Sequence, residues 1–202
     1  LGFVDPFWQH YHALPVVVGA VLAFLWIVLT INAMNFVDGL DGLASGIGLI
    51  SAIAFFLVAV AIGKVSGGWA KGSLNVAALL ALALSGGLVG FLVFNFHPAR
   101  IFLGDSGSMF LGHALASIAL IGSLKSAAVF TMFLPVLIMA LPLADVLWAV
   151  TRRLREGQPI SKADKGHMHH RLLDLGFSHQ GVVLTLYGLN ALFAGLAVWL
   201  SL

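Results

Sequence analysis

The sequence predicts an all-α fold, a polytopic transmembrane helix bundle of about six spans with its catalytic loops on one face. Three observations carry this. Apolar residues make up 60% of the chain and charged residues 9%, with a mean hydropathy of +1.05, far outside the range of soluble domains. Apolar runs close to the roughly 20 residues that a helix needs to cross the hydrocarbon recur along the whole length. The runs also lack the period-two alternation of a barrel strand and are about twice a barrel strand's length, so helices must satisfy the backbone polar groups in the bilayer.

The six runs are residues 14–34, 43–63, 73–95, 107–124, 126–149 and 181–202. Before the first, Trp8 and Tyr11 suit an interfacial belt, and the segment lacks the basic start and short apolar core of a signal peptide. The first run has no charge from Leu14 to Ile31 and ends in the polar knot 32–42, where Gly39 and Gly42 supply stop positions. In the third run, Gly86 and Gly90 form a Gly-x-x-x-Gly pair expected to let helices pack closely. The fourth run starts beside Asp105 and Ser106, either of which suits an N-cap, and carries His113, expected to make an interhelical hydrogen bond. Pro135 and Pro142 are expected to kink the fifth run, and Asp145, late in it, to pair with Arg152 or Arg153 or to cap the site. Residues 151–180 read as a polar loop within a single domain, 1–202.

Orientation follows from the cations. Loops after the first, third and fifth runs hold Arg100, Arg152, Arg153, Arg155, Lys162, Lys165 and Arg171, against Lys64, Lys71 and Lys125 on the other side, so the first set is expected to be cytosolic. This bias and the anionic headgroups of a lipid bilayer account for the slight positive charge, and no nucleic-acid partner is called for. Cysteine is absent, which excludes thiol catalysis and disulfides.

Three segments carry candidate chemistry. Residues 32–42 hold Asn32, Asn35, Asp38 and Asp41 at three-residue spacing, so a helix would turn Asn35, Asp38 and Asp41 toward one sector. Carboxylates at a helix C-terminus oppose the macrodipole at a cost of a few tenths to about 1 kcal/mol each, which favours a functional reason over simple capping. Residues 95–108 combine Asn95, Phe102 and Asp105 with a helix start, whose free N–H groups suit phosphate oxygens and whose carboxylate suits Mg2+. Residues 164–171 cluster His167, His169 and His170 among cations; zinc binding, contact with anionic lipid and a grip on a phosphate substrate are all open readings. The phosphate reading requires the loop to fold back over the aspartates. A transporter with intramembrane carboxylates is the competing class, and the aspartates' position at helix ends argues against it.

In order, Asn-x-x-Asn-x-x-Asp-Gly-x-Asp-Gly-Leu, Pro-Ala-x-x-Phe-x-Gly-Asp-Ser-Gly-Ser, Arg-Arg and His-x-His-His-Arg-Leu resemble the motifs of the polyprenyl-phosphate N-acetylhexosamine-1-phosphate transferases. The likeness is strongest to the bacterial N-acetylglucosamine branch, because the phospho-N-acetylmuramoyl-pentapeptide transferases, the alternative, usually carry consecutive histidines. The resemblance implies transfer of N-acetylglucosamine 1-phosphate from UDP-N-acetylglucosamine to undecaprenyl phosphate, with UMP released, at the cytosolic face of the bacterial inner membrane. It implies Mg2+, with Mn2+ as a substitute, on Asp105. Asn32, Asn35, Asp38, Asp41 and Asn95 match a nucleotide-binding wall, Phe102 an aromatic that packs on uracil, and His167, His169, His170 and Arg153 contacts to diphosphate or sugar. Asp38, Asp41, Asp105 and His169 are the expected catalytic set, and a homodimer is an assembly the resemblance allows. Family members also carry an Asp-Asp-x-x-Asp motif on an earlier helix; no adjacent Asp pair occurs here, so that segment is expected upstream of Leu1, and an inactive fragment that binds UDP-sugar is the remaining alternative.

Overall fold

The computed structural model describes residues 2–4, 11–13, 15–65, 73–123, 133–157 and 166–202, the first two stretches as backbone only. Two short strands, β1 (Gly2–Val4) and β2 (Tyr11–Ala13), pair antiparallel with Phe3 opposite His12. This ribbon was not expected from sequence, being far shorter than a period-two signal needs. Trp8 lies outside the described residues.

Helices make up the rest. Pro15 is the N-cap of α1 (Val16–Val37), and its carbonyl accepts from Gly19 N–H at 3.0 Å. Then come α2 (Leu43–Val65), α3 (Ser73–Asn95) and α4 (Gly104–Ser123). The fifth run is represented by α5 (Phe133–Ile138) and α6 (Ala140–Arg155), followed by α7 (Met168–Asp174) and α8 (His179–Leu200). Among the described residues, α1, α2, α3 and α8 are long and apolar enough to cross a membrane, so the protein is a polytopic membrane protein.

The fourth and fifth expected runs differ in where they begin and in their continuity. The fourth begins at Gly104, not 107, which brings the polar Asp105, Ser106 and Ser108 into its first turns and places Asp105 inside the helix instead of at its cap. The fifth is divided at Met139. Pro142 has no N–H to offer the Ile138 carbonyl and its ring crowds that position; the ladder resumes through Met139 N–H to Pro135 O and Leu143 N–H to Met139 O, both 3.0 Å. The start of that run, 126–132, lies outside the described residues.

α2 is the central helix, packing on α3, α8 and α4, while α1 lies against α4 and α6. Small residues allow the close crossings, since packing rather than hydrophobic transfer drives helix association in lipid. The glycine that matters is Gly112: a Cβ there would lie 2.7 Å from Ile31 Cα and 2.8 Å from the Thr30 carbonyl oxygen, so α4 and α1 meet backbone to backbone. Trp26 Nε1 donates to Ala116 O at 3.3 Å across the same seam. Gly86 and Gly90, by contrast, have nothing within 4 Å, so the expected close packing at this pair is not made among the described residues. His113 also departs from expectation: it is exposed on α4, and no hydrogen bond of its ring occurs among the described residues.

The polar ends of the helices meet at one end of the bundle. Tyr187 of α8 fills the space beside Gly46 and donates its hydroxyl hydrogen to the Gly42 carbonyl, tying α8 to the α1–α2 turn. Gly42 adopts φ +80°, a conformation glycine takes without steric cost. Ser178 caps α8 by accepting from Gly181 N–H at 3.1 Å.

Candidate functional site

Three structural units build the site: the 38–42 turn after α1, the 96–103 loop with the start of α4, and the segment 166–174 that carries α7. The polar knot does not stay together as a helical face. Helix α1 stops at Val37, with Asp38 as its C-cap, and the chain then turns, so Asp38 and Asp41 serve different neighbours.

Asp38 shares a field with Asp105. Burial first, and the charge of Asp105 second, push the Asp38 carboxyl up to about 6. Asn35, one turn earlier, donates through Nδ2 to Asp105 Oδ1 at 3.2 Å and to Ser108 Oγ at 3.0 Å, while Ser108 itself donates to the Gly104 carbonyl at 2.9 Å. The arrangement holds two acids of like charge close at the start of a helix, where a cation would relieve their repulsion. The donor set therefore fits a hard, oxygen-preferring ion.

The sign of the Asp38 shift gives an expected result. Because the folded-state value is raised, the stability conferred by the protonated acid is complete below the ordinary value of 3.8 and is lost as pH rises through about 6. Asp38→Asn should therefore raise the thermal midpoint at pH 8 in chelator and leave it nearly unchanged at pH 4. Equal shifts at both pH values, measured on detergent-solubilised full-length protein, would refute the electrostatic coupling.

Asp41 turns the other way, to the 96–103 loop. Its Oδ2 accepts from Ala99 N–H at 3.1 Å and faces His97 Nδ1 at 2.9 Å. The His97 ring stacks on His179, the first residue of α8, with centroids 4.2 Å apart. Burial raises the Asp41 value, but the Ala99 and His97 hydrogen bonds and the two imidazoles outweigh it, leaving the carboxyl below its usual range. Asn95 is another fastener of this loop. At 3% exposure it accepts from Ser45 Oγ at 2.6 Å and donates to Ile101 O at 2.9 Å, so it supports the wall from behind. Phe102, on the loop itself, is 70% exposed and free to receive a planar ring. Asn32 is exposed and its amide bonds back to Val28 O at 2.7 Å.

The histidine segment does fold back over the acidic turn. His169 lies on Gly39, occupying the space that a Cβ would take there. Glycine is needed at 39 for this close approach and not for an unusual φ. The His169 side chain lines a small, mostly apolar cavity with Val37, Leu141, Met168, Leu186 and the carboxyl-bearing Asp145. Burial, then the neighbouring His170, hold its pKa down at about 4; Asp145 opposes this and His167 adds to it. His169 is thus held neutral near pH 7, a hydrogen-bonding group and not the cation that residue type alone implied.

Asp145 organises this segment. It does not cap the Asp38–Asp105 pair: its Oδ2 faces His167 Nδ1 at 2.9 Å and its Oδ1 accepts from Met168 N–H at 2.9 Å, all deep in the protein. The segment 166–174 returns to α6 and brings His167 and the Met168 amide to this carboxylate. Arg152 Nη1 donates to Gly166 O at 3.0 Å, its guanidinium lying where a Gly166 side chain would be. Arg153 is buried at 6% exposure on α6, and His170 is half-buried. Lys162, Asp164 and Lys165 lie outside the described residues.

The structure therefore joins Asn35 and Asp38 to Asp105, lays His169 on Gly39 next to Asp38 in the chain, and sets Asn32 and Asn95 aside. Sequence reading missed His97, His179, Tyr187 and Ser108. Ser108 was readable in retrospect from its position one turn after Gly104; the other three act across long sequence separations.

Comparison with known proteins places the chain in a family. Residues 2–123 match the family model described as glycosyl transferase family 4. The chain is 39% identical over 188 residues to a Bacillus subtilis (strain 168) protein named probable undecaprenyl-phosphate N-acetylglucosaminyl 1-phosphate transferase, covering 90% of this chain and 50% of that protein. It is 44% identical over 168 residues to the decaprenyl-phosphate N-acetylglucosaminephosphotransferase of Mycobacterium tuberculosis (strain CDC 1551 / Oshkosh), covering 78% and 41%. A phospho-N-acetylmuramoyl-pentapeptide-transferase of Heliobacterium modesticaldum is 39% identical over 184 residues, covering 90% and 51%. The chain spans about half the length of these curated relatives. With more than half of its residues matched by the family model, and its motif residues gathered at one end of a membrane bundle, the chain belongs to glycosyl transferase family 4.

Proposed function

We propose that the protein transfers N-acetylglucosamine 1-phosphate from UDP-N-acetylglucosamine to undecaprenyl phosphate, releasing UMP and initiating a cell-wall or surface polysaccharide, at the cytosolic face of the bacterial inner membrane. The observation that supports this reading is the coupling of Asp38 to Asp105 beside a turn, at Gly39, on which His169 lies. Transfer between two phosphates demands positioning and charge neutralisation more than covalent help, and these residues offer both.

In the reaction, an oxygen of the lipid phosphate forms a bond to the β-phosphorus of the UDP-sugar, and the bond from that phosphorus to the oxygen bridging to UMP breaks. Asp105 and Asp38 would hold Mg2+, which when bound supplies positive charge to the diphosphate and the leaving UMP. Asn35 fixes the Asp105 carboxylate through its amide. Phe102 offers its exposed face to uracil, and Asp41 and Asn95 hold the loop that presents it. Neutral His169 hydrogen-bonds a diphosphate oxygen from the opposite side.

The assay is UMP release by the full-length protein in lipid. The expected result is release from UDP-N-acetylglucosamine that depends on both undecaprenyl phosphate and a divalent cation. Release from the UDP-linked muramoyl pentapeptide instead would move the protein to the other branch, and release from neither donor would reject the reading.

A further inference from the structure

We propose that Asp41, His97 and His179 form a binding site for one divalent transition-metal ion of the Zn2+ or Co2+ type, distinct from the Asp38–Asp105 pair. The three come from separate elements: the 38–42 turn, the 96–103 loop and the first residue of α8. Each offers one ligand atom, and these atoms lie within 4.8 Å of one another.

The donor types decide the class of ion. Two imidazoles and a carboxylate suit zinc, cobalt or nickel, whereas magnesium and calcium take oxygen ligands. The carboxylate has capacity left: Oδ2 faces Ala99 N–H and His97 Nδ1, and Oδ1 accepts no hydrogen bond among the described residues. His179 Nε2 is buried without a hydrogen-bond partner among the described residues. Buried polar atoms are nearly always satisfied, so this nitrogen calls for an explanation that an Asp41–His97 hydrogen bond alone does not supply. Coordination supplies one, either at that nitrogen or by fixing the ring's tautomer.

The surroundings resemble a working ligand shell. Ala99 N–H orients the Asp41 carboxylate, and Gln180 Nε2 reaches the His97 carbonyl at 3.4 Å. The His97 and Asp41 side chains are 37% and 24% exposed, which gives an ion a way in and leaves room for water to complete its coordination. When the ion replaces the Asp41–His97 hydrogen bond, the proton on the His97 nitrogen moves to the ring's other nitrogen, and both imidazoles coordinate as neutral groups. The bound ion then staples α8 to the loop that carries Phe102. This inference does not depend on the transferase reading.

The test is Co2+ titration of the chelator-stripped full-length protein in detergent, with excess Mg2+ present, read by visible absorption and by displacement with Zn2+. One equivalent is expected. Its affinity should fall by at least about 10-fold in His97→Gln and in His179→Gln and persist in His169→Gln. No binding above the Mg2+-saturated background, binding that survives both of the first two variants, or binding lost with His169→Gln overturns the proposal. Should a variant aggregate, carbethoxylation mapped by mass spectrometry in the unmodified protein decides the matter: Zn2+ protection of both His97 and His179 sustains the site, and failure to protect either overturns it.

Discussion

Asp105→Asn should lower cation-dependent UMP release by at least about 100-fold while leaving the bundle folded. The substitution removes a charge at nearly constant volume from an exposed position in the first turn of α4. The Asn35 hydrogen bond survives, because the amide oxygen of the new side chain still accepts from Asn35 Nδ2. What is lost is half of the anionic pair. The Asp38 carboxyl should move down from about 6 toward its ordinary value, since the second cause of its elevation disappears while burial stays. Unchanged thermal unfolding together with near-complete loss of turnover is the expected combination. Wild-type turnover would remove Asp105 from the site.

The second large effect is expected from the smallest substitution available. In Gly39→Ala the new methyl collides with the His169 ring, whose Cε1 lies 2.7 Å and Cδ2 3.2 Å from the ideal Cβ position. His170 packs against the ring with centroids 4.3 Å apart, and Asp145 pins the start of α7 through Met168 N–H, so a retreat of the ring displaces it from Gly39. Overpacking of this kind costs about 1–3 kcal/mol of stability. A misplacement of roughly 1 Å at a positioned group costs about 100-fold in rate, which is the turnover loss expected here. Adding His169→Ala to Gly39→Ala should restore stability, by removing the clashing ring, without restoring turnover. If Gly39→Ala is as active and stable as wild type, His169 does not sit where the reaction takes place.

Much of the fold was legible in the sequence because the bilayer imposes a one-dimensional rule. A segment with almost no charge over about 20 residues is a helix wherever it lies in the chain. The rule weakened where the local sequence contained its own interruption: Pro142 broke the fifth run beyond a kink. The candidate site was legible as residue types but not as partners. Asp38, Asp105 and His169 were chosen from motifs; Asp38 is coupled to Asp105, and His169 lies on Gly39. Helical spacing alone kept Asp41 beside Asp38, whereas the chain leaves the helix at Val37 and delivers Asp41 to His97 and Ala99. Asp145 showed the same limit: its contact with His167, 22 positions away, follows from no local spacing.

By itself, the sequence determined that this is a helical membrane protein and that its chemistry is concentrated in three polar segments between apolar runs. Those conclusions rest on composition and local spacing, which the chain carries at every point. Only the tertiary structure decided which glycine permits close helix crossing, Gly112 and not Gly86 or Gly90, and that His169 is a buried neutral ring lying on Gly39. It alone divided one acidic knot into a carboxylate pair suited to a hard cation and an Asp-His-His cluster suited to a softer one. Distances, desolvation and partner identity arise from contacts between residues far apart in the chain, and no local pattern encodes them.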